Sequence, residues 1–166
     1  NPKDDNRHTL VLDLDETLVN SDLVSQRSTA LRPHVIEFLR EVHRLFELVY
    51  WTAGTETYGW GVIDAIEAAG IAVDGKPVAG PAHPHSLFRH HTLEYRKYIW
   101  LNMNRMKYLG HLNRPIHNTV IIDVNTQSFP LTPRQAITCK VFDFRFPDEA
   151  ARIAERSGPT PFRTMN

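Results

Sequence analysis

Cysteine is almost missing from this sequence: among 166 residues only Cys139 carries a thiol, so no internal disulfide framework can staple the fold. In the apolar stretch "ITCKVF", with no neighbouring base to activate it, Cys139 reads as a core residue rather than a nucleophile, and a reducing compartment is permitted. Net charge is missing as well. Nineteen Lys and Arg stand against nineteen Asp and Glu, which argues against a general nucleic-acid binder, so no direct nucleic-acid partner is expected. No run reaches the ~18 apolar residues that suggest a membrane span, and the opening "NPKDDNRHTL" has no signal-peptide core. Because Asn1 is not a natural initiator and the opening is polar, the chain reads as an excised domain whose targeting or anchoring segments lie outside it. Internal repeats, low-complexity tracts and interdomain linkers are also missing, so residues 1–166 read as one domain, long enough to bury about 70% of the surface of the unfolded chain.

What is present alternates between strand and helix signals. "HTLVLDLD" is a short apolar run that ends in two acids, Asp13 and Asp15, and "RPHVIEFLREVHRLF" carries Val35, Ile36, Leu39, Val42 and Phe46 at helical spacing behind Pro33. "ELVYWT" is a second strand. "TETYGWGVIDAIEAAG" is a helix closed by Gly70 and weakened internally by Gly59 and Gly61. "NTVIID" and "TCKVFDF" supply a third and a fourth strand, and "PDEAARIAERSG" a C-terminal helix. This order predicts an α/β fold, a parallel central sheet with helices on both faces, which binds its ligand at the carboxyl ends of its strands. Asp13, Thr52 and Asp123 all fall at such ends.

Between Gly70 and Asn118 the periodicity fails, and the span of about 71–117 is expected to be an insertion, not a sheet unit, that sits as a lid over the strand ends. "YIWLNMNRMKY" reads there as a β-hairpin turning near Asn102 to Asn104. Residues 83–117 hold six cations (Arg89, Arg96, Lys97, Arg105, Lys107, Arg114) against the single acid Glu94, together with six of the nine histidines. Such a lid attracts anions, with Arg89, Arg96 and Arg105 as the candidate substrate-facing residues.

A carboxylate is a competent nucleophile toward phosphorus. Asp13 could attack a phosphate ester to give an aspartyl-phosphate, while Asp15 protonates the leaving oxygen and then activates water. Carboxylates meet a phosphate dianion at high cost unless cations neutralise the site, so this chemistry requires a hard divalent ion such as Mg²⁺ and a lysine. Asp123 supplies a third carboxylate for the ion. Thr52 offers a hydroxyl and a turn of backbone N–H groups for phosphate oxygens. Taken singly, each of these residues is as well explained by turn chemistry; their convergence carries the reading.

"DLDETLV" resembles the first motif of the haloacid dehalogenase superfamily in the Asp-x-Asp-x-Thr version of its phosphatases. "LRPHVIEFLREVHRLFELVYWTAG" is similar to the small phosphatases of the RNA polymerase II C-terminal domain. "LFR", "MKYLGHLNRP" and "SFPLTP" are more similar to the presequence-receptor subunit of the mitochondrial inner-membrane translocase, a relative with the same phosphatase fold. The resemblance covers roughly residues 8–145 and implies a Rossmann-like fold, with Asp13 as nucleophile, Asp15 as acid/base, Thr17, Thr52 and Lys107 on the phosphate, and Asp123 as a metal ligand. It selects Lys107 as the catalytic lysine and leaves Lys97 on the lid surface. The family usually has Asn or Asp directly after the fourth-motif Asp; here Val124 stands there and Asn125 follows, so the implied Mg²⁺ ligand set is Asp13, Asp15, Asp123 and Asn125.

Two functions are implied. One is a Mg²⁺-dependent phosphatase acting on phosphoserine or phosphothreonine in a protein or peptide. The other is a translocase-type receptor for mitochondrial import that keeps the fold and binds translocase subunits. The expected location is intracellular, with the intermembrane-space side of the mitochondrial inner membrane favoured and nucleus or cytosol as alternatives.

Overall fold

Leu10, Val11 and Leu12 expose at most 4% of their surface, as a strand must when it is hydrogen-bonded along both edges and covered on both faces. In the computed structural model, which describes residues 7–21, 29–69, 72–73, 76–77, 85–95 and 104–143, the strand His8–Leu12 lies at the centre of a five-stranded sheet. Its neighbours are Phe46–Trp51 on one side and Thr119–Asp123 on the other. Ser86–Leu87 adds to the outside of the former and Ala136–Thr138 to the outside of the latter, and every pair is parallel.

Alternation along these strands divides the core in two. Leu10, Leu12, Leu48 and Tyr50 meet Val35 and Leu39 of helix α1 (Val35–Leu45) and Val62, Ile63 and Ile66 of helix α2 (Glu56–Ala68). Val11, Val49, Trp51 and Ile121 face the other way and meet Leu109 and Phe129. Both long helices therefore serve one face. Among the described residues the other face is covered by Leu109, from the one-turn 3₁₀ segment Leu109–Leu112, and by Phe129, which follows another, Thr126–Ser128. The parallel central sheet of an α/β fold is observed as expected, but among the described residues the α-helices expected on both faces lie on one.

Four local expectations change. Helix α1 starts at Val35, two residues past Pro33, because His34 takes a left-handed conformation (φ 63°) and ends the preceding turn. The last strand is Ala136–Thr138, earlier than "TCKVFDF" suggested. Beyond it Cys139 N–H still donates to Asp123 O at 3.3 Å, after which Phe142 turns inward, 3% exposed, to pack elsewhere. The span expected to be only an insertion contributes a sheet strand after all, Ser86–Leu87 paired with Tyr50–Trp51. The hairpin joins Leu93–Tyr95 to Asn104–Met106, so Asn104 belongs to an arm, not to the turn. Gly70, Arg96, Lys97 and the C-terminal helix expected at "PDEAARIAERSG" lie outside the described residues. Among the described residues no helix is long and apolar enough to cross a membrane.

Candidate active site

The parallel register brings three strand ends level: Leu12 pairs with Tyr50 on one side and Ile122 on the other. The residues just beyond share one edge. Asp13 N–H continues the ladder to Ile122 O at 3.0 Å, and Thr52 N–H donates to Leu87 O at 3.0 Å. After Asp13 the chain curls sharply. Leu14 O accepts from Leu18 N at 2.9 Å and Val19 N at 3.1 Å, and Glu16 takes a left-handed φ of 60°, a strain of about 1–2 kcal/mol for a residue with a Cβ.

Arg32 holds that curl in place. Its Nε donates to Thr17 O at 2.6 Å, and its Nη2 to Glu16 O at 2.9 Å and Lys140 O at 2.6 Å, while the guanidinium lies 5.2 Å from the centre of the Phe142 ring. Phe142 N–H donates to Glu16 O at 2.8 Å and Asn20 Nδ2 to Phe142 O at 2.9 Å, so the segment after the last strand closes the same turn. Sequence reasoning missed Arg32 as a site-building residue; its one signal is its place beside Pro33 within "LRPH".

Lys107 reaches the edge from the hairpin. Its backbone N–H donates to Ser128 O at 2.7 Å, and Tyr95 Oη to Gln127 O at 2.8 Å, which seats the hairpin on the turn that follows Asp123. The Lys107 ammonium, 2% exposed, bridges Asp13 Oδ1 at 2.5 Å and Asp123 Oδ2 at 2.8 Å. Thr17 Oγ1 donates to Asp13 Oδ2 at 2.7 Å, and Asn125 N–H to Asp123 Oδ1 at 2.7 Å. Burial, opposed by Lys107 and reinforced by the Asp123 charge, pushes the Asp13 carboxyl up from 3.8 to about 6. Burial also works against the Lys107 charge, but the two carboxylates outweigh it and hold the ammonium above the ordinary lysine range. Lys107 therefore stays charged at neutral pH, and one cation is shared by two acids.

Asp15 is held apart from this cluster. Its Oδ2 accepts from Thr52 Oγ1 at 2.8 Å and its Oδ1 from the Tyr58 hydroxyl. Thr52 in turn accepts Gly54 N–H at 2.8 Å. Asn125 caps the Thr126–Ser128 turn, its Oδ1 accepting Gln127 N–H at 3.0 Å. Of the four residues expected around a metal, only Asp13 and Asp123 bring their carboxylates together; Asp15 and Asn125 aim their side chains at other partners. Among the described residues no three Asp, Glu, His or Cys side chains gather into a metal-binding group. Tyr58 is the second residue that sequence reasoning missed, since a tyrosine in the first turn of an amphipathic helix carries no distinguishing mark.

The lid's excess of cations is answered by acids, three of the four from outside the lid. Arg105 pairs with its cross-strand neighbour Glu94, and Arg114 forks onto Glu47 through Nε at 2.7 Å and Nη2 at 2.5 Å. With Lys107 buried between two aspartates, the charge counted along residues 83–117 does not survive as a basic face in the described part. Arg89 donates through Nε to Ala53 O at 2.9 Å and through its backbone N–H to Gly54 O at 2.8 Å, which secures the loop behind Thr52. Arg89 and Arg105 do line one cleft of about 450 Å³, with Thr55, Glu56, His90 and Thr92. Cys139 is half-buried, and burial pushes its thiol up, against any thiolate role.

Residues 8–152 match the model of the NLI interacting factor-like phosphatases. The chain is 30% identical over 145 residues to phosphatase PSR1 of Saccharomyces cerevisiae, covering 77% of this chain and 30% of that protein. It is 29% identical over 150 residues to the mitochondrial import inner membrane translocase subunit TIM50 of Kluyveromyces lactis, covering 87% of this chain and 27% of that one. The chain thus spans under a third of either relative's length. Its fold is similar to that of fission yeast RNA polymerase II CTD phosphatase Fcp1 bound to beryllium fluoride, with a TM-score of 0.56 and 20% identity over 83% of this chain and 42% of Fcp1.

Proposed function

The chain belongs to the NLI interacting factor-like phosphatase family, and from that premise we propose that it hydrolyses phosphoserine or phosphothreonine in proteins through an aspartyl-phosphate on Asp13. The observation that carries this reading is the separation of two carboxylates into two environments. Asp13 lies buried against Lys107 beside Asp123, and Asp15 is held by two hydroxyls. Neighbouring acids kept in different surroundings can take the roles of nucleophile and acid/base.

In the first half-reaction an Asp13 oxygen forms a bond to phosphorus as the bond to the serine or threonine oxygen breaks, and Asp15 gives its proton to that leaving oxygen. In the second, water attacks phosphorus, Asp15 takes a proton from it, and the bond to Asp13 breaks to release phosphate. Lys107 offsets the negative charge that gathers between Asp13, Asp123 and the phosphoryl group. Thr17, hydrogen-bonded to Asp13 Oδ2, and Thr52 supply hydroxyls beside the phosphate.

The donor set suits Mg²⁺. One ammonium stands against two buried acids, and Mg²⁺ is commonly held by one or two carboxylates with waters and substrate phosphate filling the rest. Asp13 and Asp123 would hold it. When bound it neutralises phosphate oxygens and so lowers the cost of bringing a carboxylate to phosphorus.

The substrate chain is proposed to cross the cleft that Arg89 and Arg105 line, with Arg96 as a further lid contact. An intracellular location follows from a phosphoprotein substrate, with no preference for the mitochondrion. Similarity to TIM50 across 87% of the chain supports a second reading, a receptor module of a translocase. One assay separates the two: turnover of p-nitrophenyl phosphate with Mg²⁺, with EDTA, and by Asp13→Asn. Metal-dependent hydrolysis that disappears in the variant supports the enzyme; a folded wild-type chain without turnover favours the receptor.

A further inference from the structure

Both oxygens of the Asp15 carboxylate accept hydrogen bonds, from Thr52 Oγ1 at 2.8 Å and from the Tyr58 hydroxyl. The two donors are not equivalent. Thr52 Oγ1 already accepts Gly54 N–H at 2.8 Å, which directs its single proton toward Asp15 Oδ2 and fixes it as a donor. A phenol oxygen has two acceptor sites and one proton that rotates about the C–O bond, so Tyr58 can face Asp15 Oδ1 in either sense. The ring that carries this hydroxyl is closely seated: a Cβ added to Gly54 would stand 2.6 Å from Tyr58 Cδ1, a separation that real Cβ atoms do not show. Glycine at position 54 is what lets the ring lie there.

We propose that Tyr58 is a positioning residue for Asp15: its hydroxyl donates to the carboxylate and accepts from the carboxylic acid, so Asp15 keeps one orientation while it gives up its proton and regains one. Tyr58 retains its own proton throughout. The proton lost by Asp15 goes to the leaving oxygen, and the one it regains comes from the attacking water. This rests on the phosphatase reading and adds a residue that the strand-end pattern does not mark. Without Tyr58, Asp15 has only a fixed donor, which suits its ionised form and offers its acid form no acceptor.

Tyr58→Phe keeps the ring against Gly54 and removes only the hydroxyl. With a phosphoserine peptide, whose leaving oxygen needs protonation, kcat/KM is expected to fall about 10–100-fold. With p-nitrophenyl phosphate, whose leaving group is stable as an anion, the loss is expected to stay under about threefold. A double-mutant cycle gives the decisive readout: in an Asp15→Asn background, Tyr58→Phe adds no further loss with the peptide, because it acts through Asp15. Independent losses in that cycle, equal losses on both substrates, or an unchanged peptide kcat/KM in Tyr58→Phe would overturn the assignment. Those results all require a wild-type protein that turns over; a folded wild type inactive on both substrates would overturn the phosphatase reading itself.

Discussion

Asp13→Asn preserves the shape of the side chain and removes the attacking charge, so turnover is expected to fall by orders of magnitude in a protein that remains folded. Its effect on stability has its own pH dependence. Asp13 is raised from 3.8 to about 6 in the folded state, so between these values the folded protein binds more protons than the unfolded one, and the contribution of Asp13 to stability falls as pH rises through that window. Differential scanning calorimetry of the metal-free proteins is therefore expected to show wild type gaining Tm relative to Asp13→Asn between about pH 7 and about pH 5. A pH-independent difference would contradict the burial argument. Lys107→Met leaves two buried carboxylates facing each other without a cation, at a cost of about 3–5 kcal/mol by chemical denaturation. Activity is expected to be lost with it. That Asp13, Thr52 and Asp123 meet at one edge was legible, because all three stand where apolar runs stop. Which way Asp15 and Asn125 turn was not, because the partners that decide it, Thr52 with Tyr58 and the N–H of Gln127, belong to other elements or to the fold of the turn.

At the scale of elements, helix α2 contains two glycines that a sequence pattern treats alike. A Cβ at Gly61 would meet nothing within 4 Å, whereas at Gly59 it would stand 2.6 Å from two Phe88 ring atoms and 3.2 Å from Thr52 Cγ2. Gly61→Ala is thus expected to stabilise by about 1 kcal/mol through helix propensity. Gly59→Ala is expected to destabilise by about 1–3 kcal/mol through overpacking beside the Thr52 loop, both read from urea midpoints. Asn125 poses a similar choice. As the cap of a one-turn segment it is expected to cost about 1 kcal/mol on replacement by Ala while leaving half-saturating Mg²⁺ unchanged. A weakened Mg²⁺ dependence would restore it to the ligand set. The long elements were readable because helices α1 and α2 and the three inner strands each carry a sustained apolar pattern. Ser86–Leu87 was not, since two residues hold no periodicity and owe their strand form to pairing with Tyr50–Trp51.

Charge illustrates what only the whole molecule reveals. Counting along residues 83–117 suggests a basic lid, but Glu47 lies in a sheet strand and Asp13 and Asp123 at strand ends, and folding carries them to Arg114 and Lys107. Arg89→Ala, at the mouth of the loop behind Thr52, is accordingly expected to raise KM for a phosphopeptide severalfold while leaving turnover of p-nitrophenyl phosphate near wild type, more so at low salt. Arg105→Ala, whose guanidinium already faces Glu94, is expected to do less. The reverse order would move the substrate path to the hairpin. The clamp made by Arg32 and Phe142 also bears on the order of synthesis. Glu16, the residue they secure, leaves the ribosome about 126 positions before Phe142, a delay of roughly 6–25 s at about 5–20 residues per second. Asp13 is made well before the residue that completes its seat, so nascent chains whose emerged part stops at Thr138 are expected to be inert toward p-nitrophenyl phosphate, with turnover appearing once Phe142 has cleared the exit tunnel. The growing polypeptide would thus be barred from dephosphorylating anything until nearly its whole catalytic fold is in place.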